Sequence, residues 1–175
     1  LEALDLSKLP RFHAARHAAP LLEPAIYPAG SENLPGASKD WGTTGFIVNT
    51  KSVSQNPASW KEFFELAQGP LTGKVMVHDY QLTTIGSAAK ALGYGFNTID
   101  PNELAEIEKL LVAAKPHLFG IDSNYQPSMR NGDATMAMCW TNDAAQLHRD
   151  IPEMKYVLGK DGGEIWVDHY AVVKG

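Results

Sequence analysis

The chain has 175 residues, 20 acidic and 15 basic side chains, a formal net charge of -5 and 44% hydrophobic residues, enough for one full core or one core plus part of another. Four Trp, six Tyr and six Phe, with only 20% charged residues, exclude a disordered acidic chain. The acidic balance argues against a nucleic-acid surface, since no basic stripe displaces counterions from phosphates. Cys139 alone allows neither a disulfide framework nor a CxxC motif, and no apolar run is long enough to cross a bilayer.

Residues 1–40 are set apart by Pro10, Pro20, Pro24, Pro28 and Pro35, with Gly30 and Gly36. Each proline removes a donor and fixes φ, so regular structure here is short and no separate core is expected. Leu1 stands where Met would open a chain, and no basic stretch runs into an apolar one as a secretion signal would. The expectation is a processed or excised piece.

From Trp41 the pattern alternates between strand and helix. Residues 43–49 (TTGFIVN) read as a strand weakened by Gly45. Residues 54–68 read as a helix carrying Trp60, Phe63, Phe64 and Leu66 behind Asn56-Pro57. Residues 74–78 (KVMVH) form a short apolar strand, followed by a helix over 83–92. Asp100-Pro101 opens the clearest helix: Leu104, Ile107, Leu110, Leu111 and Ala114 share one face and Glu103, Glu106 and Lys109 lie away from it. Pro116 closes it. Residues 117–121, 134–140 and 164–173 read as strands, with a polar helix over 142–150. This alternation implies an α/β fold: a mainly parallel sheet with helices on both faces.

Ligands of open α/β sheets gather beyond the carboxyl ends of the strands. Three segments fall there: His78-Asp79-Tyr80, Trp140-Thr141-Asn142-Asp143 and Glu164 to Tyr170. Along the last, a period of two puts Trp166, Asp168 and Tyr170 on one face and Val167 and His169 on the other. An indole, a carboxylate and a phenol side by side suit an organic cation. The ring face contributes about 0.5–2 kcal/mol, and the carboxylate offsets the cost of taking an ammonium out of water. Trp140 and Asp143 repeat the combination. One such couple holds one ammonium; two couples hold a linear diamine. The plainer alternatives are a dipole-stabilised Asp143 in the first turn of a helix, a core Trp166 and a solvated Asp168.

Other candidates are weaker. His13 and His17 have metal-ligand spacing on a helix but no third ligand nearby. Cys139, in the apolar run 134–138, reads as an inert buried thiol. His78-Asp79 looks like half of a catalytic dyad, yet neighbours on a strand point to opposite faces. No GxSxG elbow, phosphate loop or dinucleotide fingerprint appears. No catalytic residue, cofactor or metal is assigned.

The order and spacing of several short segments are more specific than any one of them. Trp41 to Asn49 (WGTTGFIVN), Ser59-Trp60, Gly73-Lys74-Val75-Met76 and Leu92-Gly93-Tyr94 come first. Asn97-Thr98-Ile99-Asp100-Pro101, Met138-Cys139-Trp140 and Gly162 to Asp168 (GGEIWVD) follow. Together with residues 1–9 (LEALDLSKL), the run resembles the periplasmic spermidine/putrescine-binding proteins of ABC transporters.

The resemblance implies a class II two-lobed binding protein, its lobes joined by crossing strands and clasping the ligand. Residues 1–40 are expected to end the first-lobe segment and 41–175 to form the second lobe with two hinge-crossing strands. It implies aromatic walls at Trp140 and Trp166 and a carboxylate for an amine at Asp168. Asp143 matches the acid of the putrescine-binding branch. The chain departs from the family at the head of the helix after His78. There Thr83 stands in place of an acid that contacts an amine, and Tyr80 in place of its neighbouring acid. The expected ligand is a polyamine, most like putrescine; the expected partner is an inner-membrane permease; the expected location is periplasmic or extracytoplasmic. The Thr83 departure keeps open another cationic or zwitterionic solute, such as an amino-acid-derived amine or an opine. A hydrolase using His78 and Asp79 is the remote alternative.

Overall fold

A computed structural model describes Lys8 and residues 37–173. His13, His17 and most of the proline-rich segment lie outside the described residues.

The strand read at 43–49 extends back to Ala37, as β1 (Ala37–Asn49). Gly45, the residue that weakened the reading, is what the strand requires. A Cβ there would lie 2.3 Å from the Val157 carbonyl oxygen and 2.8 Å from the Tyr156 ring. The first helix, α1 (Trp60–Gln68), starts later than the Asn-Pro signal suggested, because Ser59 caps it by accepting a hydrogen bond from the Glu62 N–H at 3.2 Å. Glu62 reaches back to the Ala58 N–H, which holds its carboxyl below the usual range. Next come β2 (Val75–Val77) and α2 (Gln81–Ala91). Asp100 caps α3 (Pro101–Ala114) as its sequence promised, accepting from the Asn102 N–H at 2.8 Å. A single 3-10 turn follows α3.

The remaining elements are β3 (Gly120–Ile121), α4 (Gln126–Asn131), β4 (Met136–Trp140), α5 (Thr141–Asp150), β5 (Met154–Val157) and β6 (Glu164–Tyr170). Neither α4 nor β5 was visible in the sequence. The strand expected over 117–121 shrinks to two residues behind the 3-10 turn at Lys115–His117.

The sheet has the order β3-β2-β4-β1-β5, with β6 paired to β1. β2 runs parallel to β3 and β4, while β1 is antiparallel to both β4 and β5. Four strands therefore share one direction and β1 runs against them. The α/β fold with a mainly parallel sheet is as expected, and helices cover both faces. On one face Phe46, Val48, Val75, Val77, Met136 and Met138 pack with side chains of α1, α2 and α3. On the other, Ile47, Met76, Ala137 and Cys139 meet Met129 of α4 and Ala144 and Leu147 of α5. Phe46, Trp60 and Phe63 form a fully buried trio with ring centroids 5.3–5.6 Å apart. Each such contact adds about 0.5–1.5 kcal/mol beyond area burial.

The chain divides into two units: Gly42–Ile165, and Leu1–Trp41 with Trp166–Gly175. The larger holds the two cores. No described helix is long and apolar enough to cross a membrane.

Candidate functional site

In the larger unit, the chemistry gathers where β2 and β4 end. α5 follows β4 without a loop, so Trp140 is at once the last strand residue and the N-cap of the helix. Trp140 has no capping side chain; instead Thr141 Oγ1 donates to the Thr43 carbonyl at 2.8 Å and accepts from the Thr43 N–H at 3.0 Å. That clamp fixes the start of α5 against β1. It places Asp143 in the first helical turn, where the dipole favours a carboxylate.

Trp140 and Asp143 come together around a residue the sequence had not singled out. Tyr125 is fully buried. Its hydroxyl donates to Asp143 Oδ2 at 2.8 Å and accepts from the Trp140 N–H at 3.1 Å. Burial, reinforced by Cys139 and Asp143, raises the phenol pKa, so it remains a donor. The Tyr125 ring stacks on His78 at 5.4 Å, and His78 lies 4.4 Å from the Trp140 ring. His78 is 1% exposed, and neither ring nitrogen has a well-aligned hydrogen-bond partner. Burial pushes its pKa down to about 4. At neutral pH the imidazole is an uncharged aromatic, so it puts no positive charge beside the partly buried Trp140 or the Asp143 carboxylate.

At the head of α2, Tyr80 is the N-cap without a side-chain cap bond and is 55% exposed. Thr84 ties the helix to β2 by donating to the His78 carbonyl at 2.7 Å. Thr83 is fully buried, and its hydroxyl donates to Glu164 Oε2 at 2.9 Å. Thr44, the cross-strand partner of Trp140, donates to the same oxygen at 2.6 Å. The position where an acid was missed is thus occupied by a helix hydroxyl turned onto an acid at the start of β6.

Trp166 and Asp168 belong to the smaller unit. The Trp166 indole Nε1 is buried without a hydrogen-bond partner. The Asp168 side chain is 57% exposed and pairs with Lys39 Nζ at 3.3 Å. Lys39 also touches Asp40, and its pKa is raised chiefly by the Asp168 hydrogen bond.

A family model described as bacterial extracellular solute-binding protein matches residues 3–175. The chain belongs to that family. It is 28% identical over 178 residues to the spermidine/putrescine-binding periplasmic protein of Escherichia coli strain K12, covering 98% of this chain and 48% of the relative. It is 25% identical over 186 residues to the putrescine/cadaverine-binding protein of Pseudomonas aeruginosa, covering 99% and 51%. Among solved structures it is similar to the TpPotD lipoprotein of Treponema pallidum, with a TM-score of 0.79, 25% identity, and coverage of 100% of this chain and 54% of that one. An ABC transporter protein of Rhodopseudomonas palustris shares the fold, with a TM-score of 0.75 at 18% identity and coverage of 98% and 50%. The chain spans about half the length of these relatives.

Solute-binding proteins hold a molecule without transforming it, and this family is extracellular. The nucleophile and dyad candidates agree with that. Cys139 is buried and its thiol is pushed up to about 12, so it stays protonated. His78 is enclosed by aromatic rings, while Asp79 is exposed and accepts a hydrogen bond from Ser123 at 2.5 Å. The two form no dyad, and it is the match to a solute-binding family that speaks against the hydrolase alternative. Among the described residues no group of three or more His, Cys, Asp or Glu is placed to hold a metal ion.

The residues that sequence reasoning missed are Tyr125, the aromatic role of His78, and Glu164. Only Glu164 carried a usable signal, standing two and four positions before Trp166 and Asp168 on one strand.

Proposed function

We propose that the chain is the second lobe of a solute-binding protein that captures a small organic amine, of the polyamine class and most like putrescine, for an ABC permease. The observation that carries this is Asp143: a half-buried carboxylate held by the Tyr125 hydroxyl beside the Trp140 indole, with neutral His78 behind it. The Tyr125 hydroxyl fixes the carboxylate's orientation, and among the described residues no Lys, Arg or His forms an ion pair with it. An ammonium entering there gains a charge partner and an aromatic face. The relatives named for spermidine, putrescine and cadaverine support the same ligand class.

Trp166 and Asp168 would supply the second aromatic–acid couple, as the resemblance implies, with the Lys39 ammonium on Asp168 giving way to the ligand's. Closure of the two lobes around the amine would then signal occupancy to the permease. Calorimetry of the complete two-lobed protein against putrescine, spermidine and cadaverine tests the reading. Micromolar or tighter binding of at least one of them is expected, and no heat from any of the three would reject it.

The second reading, another cationic or zwitterionic solute such as an opine, is favoured by the hydroxyl at Thr83, which can meet a ligand carboxylate or hydroxyl as an acid cannot. Competition followed by tryptophan fluorescence separates the two.

A further inference from the structure

The Glu164 carboxylate is built in a way its surroundings do not use. It lies half-buried at the start of β6 and accepts from two fully buried threonine hydroxyls, Thr44 at 2.6 Å and Thr83 at 2.9 Å, both on Oε2. Neutral hydroxyl donors of this kind fix the orientation of a carboxylate without supplying a counter-charge. Among the described residues it forms no ion pair with a Lys, Arg or His. A helix-capping role is not what the geometry shows either: a capping acid accepts from backbone N–H groups, whereas the partners here are side-chain hydroxyls. A partly desolvated anion with fixed donors and no counter-charge calls for a cation from outside.

Its location agrees. Thr44 sits directly across from Trp140 in the β1–β4 register, and Thr83 is in the first turn of α2, beyond the end of β2. Thr83 also explains itself. A second carboxylate at that position would lie within hydrogen-bond distance of Glu164 and repel it, so a threonine there goes with an acid at 164.

We infer that Glu164, oriented by Thr44 and Thr83, is a cation-receiving carboxylate that binds one ammonium of the solute and sets a preference for diamines over monoamines. This rests on the amine-binding reading above.

The test is calorimetry on the complete two-lobed protein with putrescine and with butylamine, which has the same carbon chain and one charge. The wild type is expected to prefer putrescine by at least tenfold. E164Q keeps an oxygen that accepts both threonine hydroxyls, and it should lose that preference while its butylamine Kd changes less than twofold. Moving the acid with T83D in the E164Q background should restore at least part of it. A putrescine Kd within twofold of wild type in E164Q would overturn the inference and leave the amine reading intact. No binding of either amine by the wild type would overturn both. The 13C shift of the Glu164 carboxyl in the unmutated protein gives a readout that needs no variant. It should move on adding putrescine and stay put with butylamine; no movement with putrescine counts against the assignment.

Discussion

The two aromatic–acid couples differ in how their charges are kept. Asp143 is half-buried and held by a buried hydroxyl within a packed ring cluster of Tyr125, His78 and Trp140. Asp168 is more than half exposed and rests on a flexible lysine. The first carboxylate is preorganised, since nothing must be removed before a cation arrives and its donor cannot rotate away. The second is provisional: an exposed ion pair contributes little and exchanges readily. One acid is thus held by a fixed neutral donor and the other by an exchangeable ion pair.

The sharpest way to break that contrast is to neutralise each acid in the complete protein. Asp143→Asn and Asp168→Asn should each weaken putrescine by more than tenfold, about 1.4 kcal/mol. Equal loss in calorimetry would show that both acids meet the ligand; an unchanged Kd in either would remove that residue from the site.

The ring cluster should also carry a pH dependence. The His78 pKa falls from 6.5 to about 4 on folding, so the unfolded chain binds a proton that the folded one refuses. Stability is then full above about pH 6.5 and declines as pH falls toward 4, by on the order of 3 kcal/mol. Denaturant titrations at pH 7 and pH 4.5 should show the decline, and His78→Phe should flatten the part due to this ring. A His78→Phe curve parallel to wild type would mean that the imidazole finds a partner for its proton.

A smaller effect is expected from Tyr125→Phe. Removing the hydroxyl strips a donor from Asp143 and an acceptor from the Trp140 N–H, at a cost of about 1–3 kcal/mol in unfolding free energy. The smallest belongs to Lys39→Met, which frees Asp168: putrescine should bind roughly twofold tighter or less, with the gain fading at high salt. A loss of affinity would instead make Lys39 part of the bound state.

How much of this could be read from the sequence depends on how local each cause is. The α3 helix was legible because Asp100, Pro101 and its apolar face lie within one segment and Asp100 caps its own neighbours. The strands ending at Val77 and Trp140 were legible from their apolar runs. The start of α1 was misjudged although Ser59 and Glu62 carry the capping pattern, because Asn56-Pro57 is the louder signal. α4 has only six residues, ended by Gly132 at φ 83, and β5 only four, too few for a period to show. Trp140 and Asp143 were legible because they are three residues apart. Their organiser, Tyr125, lies 18 residues from Asp143, and Glu164 lies 81 from Thr83. No local pattern encodes such contacts; they exist only once the sheet has ordered its strands.

The lone sulfhydryl has a practical use. Cys139 is sealed in the interior as a protonated thiol, so a maleimide or disulfide reagent reaches it only when the surrounding layers part. Its labelling rate therefore works as a clock for transient opening of the domain, readable in the unmodified chain and in the presence of any candidate solute.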